Sequence, residues 1–166
     1  MALNRFTAAL GFTAALALAA GAAVAHEGHH GAPPKTPGGK AAWARHDNFK
    51  AQGVAFKTIL DELKKDAPDK ALISANAIKL KTSSMALPSW FPKGSGPESG
   101  VKTDAKAEVW SDAAGFAAAA NRLQVETSKF QQIAAAGDIG AIKAGTRALG
   151  GACKNCHDKY RVPEQK

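Results

Sequence analysis

Residues 139–161 read IGAIKAGTRALGGACKNCHDKYR, and their spacing sets the reading of the whole chain. Ile142, Thr146, Leu149, Cys153, Cys156 and Tyr160 recur at alternating intervals of four and three, the pattern of one buried stripe on an amphipathic helix. The stripe puts both cysteines on the inward face of the last helical segment.

Three more stripes lie upstream. Ala42, His46, Phe49, Gly53, Phe56, Leu60 and Leu63 repeat the same spacing until Pro68 sets an end. A second run goes from Lys70 through Leu72, Ile73, Ala77, Ile78 and Leu80 to Ala86, just before Pro88. Asp104 reads as the N-cap of a third helix, whose inward residues are Val109, Ala113, Phe116, Ala120, Leu123, Thr127, Phe130 and Ala134. Gly137-Asp138 ends that helix and caps the next. Residues 88–103 hold Pro88, Pro92 and Pro97 with Gly94, Gly96 and Gly100, which cannot continue a helix but can cross one end of a bundle. Trp90 and Phe91 are unusual in such a loop and are read as covering something apolar. Four long helices, short links and almost no strand signal predict an all-α fold, an antiparallel up-down-up-down four-helix bundle.

Two segments precede it. Residues 1–25 carry one charge, Arg5, then an uncharged Ala- and Leu-rich stretch closing on Ala23-Val24-Ala25, the layout of a secretory signal peptide. Its apolar part, residues 6–19, is short of the ~20 residues a membrane span needs. Residues 26–40, with three His and three Pro, show no periodicity and read as a flexible arm. Its HEGHH start offers imidazoles to a transition-metal ion or is simply a solvated tail. The bundle is assigned residues 41–166. Without the leader 166 − 25 = 141 residues remain, enough for one domain and one core. The formal charge falls from +8 to +7 with the loss of Arg5, spread over many lysines. Such a surface attracts acidic partners or anionic membranes, and nothing in it suggests nucleic acid.

Two cysteines in an exported chain would ordinarily form a disulfide. Here Cys153-Lys154-Asn155-Cys156-His157 matches C-x-x-C-H, the attachment pattern of c-type haem. Two thiols one helical turn apart can each add to a haem vinyl group, and the adjacent imidazole is then held beneath the iron. One copy of the motif means one covalently attached haem c, with His157 as the metal ligand. The motif sits about ten residues from the C-terminus on a fourth helix, whereas ordinary soluble cytochromes c place it near the N-terminus.

With that placement, four blocks resemble the cytochrome c′ family: residues 45–57, RHDNFKAQGVAFK; residues 87–98, LPSWFPKGSGPE; residues 104–112, DAKAEVWSD; and residues 150–161, GGACKNCHDKYR. The resemblance implies that the residue four after Arg45, here Phe49, faces the distal side of the haem. A phenyl ring neither ligates iron nor donates a hydrogen bond. Phe91 is then a second distal wall, and the iron is five-coordinate. The only methionine after the leader, Met85, lies in the second helix, away from the first-helix place that electron-transfer relatives use for a sixth ligand. The rival is His46, which the stripe places inward and which would make a six-coordinate electron carrier; the resemblance instead puts that residue near the haem edge. For the propionates, Arg45 is the bidentate partner, His46 stands beside it, and the N-terminus of the third helix at Asp104 offers backbone N–H groups. Arg161, four residues after His157 on a continuing helix, lies beside the proximal histidine.

An apolar distal pocket suits diatomics that need no hydrogen bond. Nitric oxide and carbon monoxide are the expected ligands, in an exported, periplasmic protein capable of electron transfer. A plain electron carrier is the second class. An enzyme is the third, and it lacks the distal acid–base group that peroxide cleavage needs. The redox partner protein is unknown from sequence, and the resemblance implies a homodimer through the first two helices.

Overall fold

The computed structural model describes residues 32–163; the leader and the HEGHH segment lie outside the described residues. The helices are α1 (Pro37–Glu62), α2 (Lys70–Ala86), the short α3 (Glu108–Ser111), α4 (Ala113–Ala136) and α5 (Ile139–Tyr160). Single 3₁₀ turns, Leu87–Trp90 and Pro97–Ser99, shape the crossover. Among the described residues there is no strand, only one isolated antiparallel bridge between Ala105 and Arg161.

Each long helix begins where a short polar side chain takes an orphan N–H of its first turn. Thr36 accepts from Gly39, Asp69 from Leu72, Asp112 from Gly115 and Asp138 from Ala141, at 2.8–3.1 Å. Gly137, with φ of 74°, ends α4 in the left-handed region. The four long helices pack α1 on α2, α2 on α4 and α4 on α5, while α1 and α5 bring few backbone atoms together. Ile59, Ile73, Leu80, Phe116, Leu123, Phe130, Ile142 and Leu149 form the core. Across it the Ser84 and Thr127 hydroxyls, both buried, share a 2.7 Å hydrogen bond that ties α2 to α4.

Several expectations need correction. α1 starts at Pro37, so the last residues assigned to the arm belong to the bundle. Gly38 lies so close to the crossover that a Cβ there would overlap the Gly94 carbonyl, and Gly39 is buried. Along α1 the buried face carries Ala42, Arg45, Ala55, Ile59 and Glu62, with Phe49 partly covered; His46 and Gly53 are exposed. One residue turns a helix by about 100°, so seating Arg45 inward swings His46 away. In α2, Leu72 and Ile78 also face solvent.

The third helix is broken. Its periodicity runs unbroken through Val109 and Phe116, yet Asp112 leaves helical geometry (φ −112°, ψ 58°) because its carboxylate caps α4 instead. Asp104 is therefore no N-cap. Residues 104–106 are instead paired with the chain after α5: Val162 N–H donates to the Asp104 carbonyl at 2.7 Å and Lys106 N–H to the Tyr160 carbonyl at 2.9 Å.

Candidate cofactor site

Cys153 and Cys156 sit on consecutive inward positions of α5, half-buried and packed against the core. Burial raises both thiol pKa values above the usual 9.0. Both therefore stay protonated, and a thiol S–H is what adds across a vinyl double bond to give a thioether. His157, next in sequence, is exposed on the same final stretch of α5, and its carbonyl accepts from Arg161 N–H at 2.9 Å.

Aromatic rings line the end of the bundle where α5 finishes. Phe49 of α1 meets Trp90 edge-on at 5.3 Å between centroids and Phe91 at 6.1 Å. Phe91 meets Phe116 of α4 at 4.8 Å, and Phe116 meets Tyr160 of α5 at 5.3 Å. The crossover thus delivers Trp90 and Phe91 onto α1 and α4, as their place in the sequence suggested. Such contacts add specificity of geometry to the area they bury.

Arg45 is 3% exposed, and its guanidinium turns to the crossover. Nη1 donates to the Trp90 carbonyl (3.1 Å) and Ser95 Oγ (3.0 Å); Nη2 donates to the Ser95 carbonyl (2.8 Å) and Thr103 Oγ1 (3.0 Å). All four terminal N–H groups are engaged with the crossover. Burial lowers the Arg45 pKa from its ordinary value, opposed by the nearby Glu98 charge.

The remaining site residues fall as follows. His46 is 51% exposed at its side chain, with Nδ1 3.5 Å from Asp47. Arg161 lies beyond the helix in extended geometry, so it does not share a helical face with His157; its guanidinium is 3.6 Å from the Asp104 carboxylate. Asp104 accordingly presents a carboxylate paired with arginine rather than a helix N-terminus open to an anion. Met85 is half exposed on α2.

Asp112 escaped sequence reading altogether. Besides capping α4 it accepts from Lys159 Nζ at 2.6 Å and Tyr160 Oη at 2.9 Å, joining the start of α4 to the turn after His157. The Lys159 bond first, then those from Tyr160 and Gly115 N–H, hold the carboxyl below its usual 3.8. The signal was present in the spacing of Asp112 and Gly115, a cap three residues ahead of a helix turn.

The chemistry of these groups fits a covalently held haem. Two half-buried thiols point toward an apolar core, a histidine follows them, and rings wall the same end of the bundle. Fold and site together define a four-helix c-type haem protein. A family profile described as Cytochrome C′ matches residues 40–161. The chain is 44% identical over 107 residues to cytochrome c′ of Alcaligenes xylosoxydans xylosoxydans, covering 64% of this chain and 80% of that one. It is 42% identical over 95 residues to cytochrome c′ of Rubrivivax gelatinosus, covering 57% and 73%. Its fold superposes with a TM-score of 0.69 on a ferrous variant of the Alcaligenes xylosoxidans protein with bound nitric oxide, at 31% identity over 76% of this chain and 97% of that one. The chain belongs to the cytochrome c′ family, whose cofactor is covalently bound haem c.

Proposed function

We propose that this chain is an exported, periplasmic gas-binding cytochrome that takes up nitric oxide or carbon monoxide at a five-coordinate haem iron. Cys153 and Cys156 carry the haem through thioether bonds, and His157 is the protein's only ligand to the metal. When bound, the haem supplies an iron that binds diatomics and changes between ferric and ferrous states.

The observation that carries this reading is Phe49. It lies partly buried within the ring cluster of Trp90 and Phe91, and a phenyl side chain there offers neither a ligand nor a hydrogen bond. The exposure of His46 argues against its being the sixth ligand. Phe49 supplies no acid–base group for peroxide cleavage, and the proposed role is binding and electron transfer rather than turnover. The nitric oxide held by the Alcaligenes xylosoxidans relative supports the choice of ligand.

Export rests on residues 1–25, and among the described residues no helix is long and apolar enough to cross a membrane. A homodimer through α1 and α2 is part of the proposal, since Val54, Ile78 and Met85 leave apolar side chains at least half exposed there. Titrating the ferrous holoprotein with nitric oxide and with carbon monoxide tests the assignment. Saturable spectral change with one gas per haem supports it; a ferrous spectrum indifferent to both gases overturns it.

A further inference from the structure

The crossover that brings Trp90 and Phe91 to the site has no long helix or sheet of its own to hold it. Its two 3₁₀ turns are separated by Phe91–Gly96, a stretch whose backbone groups must be satisfied from outside. Arg45 supplies part of this. From one buried guanidinium it reaches the Trp90 carbonyl, both oxygens of Ser95 and the Thr103 hydroxyl, residues 45 to 58 positions away in sequence. Ser95 is fully buried, and its hydroxyl also donates to the Pro92 carbonyl at 2.7 Å. From the other side Trp110 Nε1 donates to the Phe91 and Pro92 carbonyls, each at 3.2 Å.

The same guanidinium lies on the rings it positions. Its Cζ is 4.6 Å from the Phe91 centroid and 5.7 Å from that of Trp110. A planar cation can stack on a ring and direct four N–H groups sideways, and a lysine ammonium cannot do both. Phe91 is therefore fixed in backbone by Trp110 and in side chain by Arg45, against Phe49.

We infer that Arg45, with Trp110, is the positioning residue of the ligand wall: it clamps the crossover so that Phe91 stays pressed against Phe49, and it thereby limits entry of diatomic ligands. The inference deepens the gas-binding proposal and rests on it. It differs from a propionate-binding role, which would act on the electrostatics of the haem rather than on the fit of the wall.

The test compares the unsubstituted holoprotein with Arg45→Lys and Trp110→Phe. The second variant keeps the guanidinium and removes the indole N–H with part of the ring, so it probes the wall if the first folds poorly. Two readouts are taken: the carbon monoxide association rate of the ferrous form, and amide hydrogen exchange over residues 90–103. Loss of one buried hydrogen bond from the closed arrangement should raise both by about tenfold in each variant. The pH dependence of the reduction potential should stay as in the unsubstituted protein. Association rates and exchange within about twofold of the unsubstituted protein in both variants, a shift smaller than one such bond, would overturn the clamp. So would a changed potential profile in Arg45→Lys with exchange unaltered, which marks a propionate partner. If the unsubstituted protein fails to bind carbon monoxide, the gas-binding proposal falls, and hydrogen exchange alone still decides whether Arg45 and Trp110 hold the crossover.

Discussion

At the residue scale, the position four after Arg45 is the one on which the ligand chemistry turns. Phe49→Met would place a thioether where the phenyl ring stands. The account predicts that the ferric absorption spectrum of this variant moves from high-spin toward low-spin form; an unchanged spectrum would mean the side chain at 49 does not face the iron. A second residue-scale prediction concerns the core. Thr127→Val keeps shape but removes the hydroxyl that meets Ser84 at 2.7 Å and the Leu123 carbonyl at 2.9 Å. Its urea unfolding midpoint should fall by the equivalent of about 1 kcal/mol, the usual net worth of a buried neutral hydrogen bond. The thiols and His157 were legible as candidates because a short local motif points to them, and Phe49 because the family resemblance implies a distal place four residues after Arg45. Arg45's contacts were not, because its partners lie across the crossover, and no pattern within α1 distinguishes a propionate donor from a loop clamp.

At the scale of elements, the stripes of α4 and α5 and part of that of α2 were readable from periodicity, and boundaries from Pro88, Gly137 and Asp138. The break at Asp112 was hidden because apolar spacing continues across it, and the decision is made by a carboxylate whose partners, Lys159 and Tyr160, are nearly fifty residues away. Asp112 has its pKa held down in the fold, so its contribution to stability is present above pH 3.8 and is lost as pH falls through the lower folded value. Asp112→Asn removes that charge while keeping an oxygen for the cap. Its melting temperature should lie below that of the unsubstituted protein at neutral pH, and the gap should close as the pH drops below 3.8. A gap independent of pH would mean that the charge on Asp112 does not contribute. The start of α1 was misjudged for a related reason: Pro and Gly in residues 37–39 look like linker, and the Thr36 cap together with the contact of Gly38 with the crossover makes them helix. Gly38→Ala should destabilise the fold by about 1–3 kcal/mol, as overpacking against a fixed carbonyl does, read from thermal melts.

For the whole molecule, the bundle is a chain of pairings from α1 to α2 to α4 to α5, with α1 and α5 meeting through a side chain. Phe56 of α1 lies within 3.8 Å of where a Cβ on Gly150 of α5 would be. An all-helical fold of this kind needs only amphipathic stripes and short links, which is why its architecture could be read from sequence. How the ends are sealed depends on long-range polar contacts and could not. The exposed Val54, Ile78 and Met85 lead to a prediction at this scale as well: sedimentation of the holoprotein should give twice the protomer mass, and Ile78→Lys should shift it toward a single chain.

The central claim is that His157 is the only protein ligand to the iron, with Phe49 as a wall that binds nothing. Electron paramagnetic resonance of the ferric holoprotein, paired with the ferrous absorption spectrum, tests it most directly. High-spin iron in both states is the predicted result. Low-spin iron in both would contradict the account and point to a sixth ligand, His46, brought in from the solvent-facing side of α1.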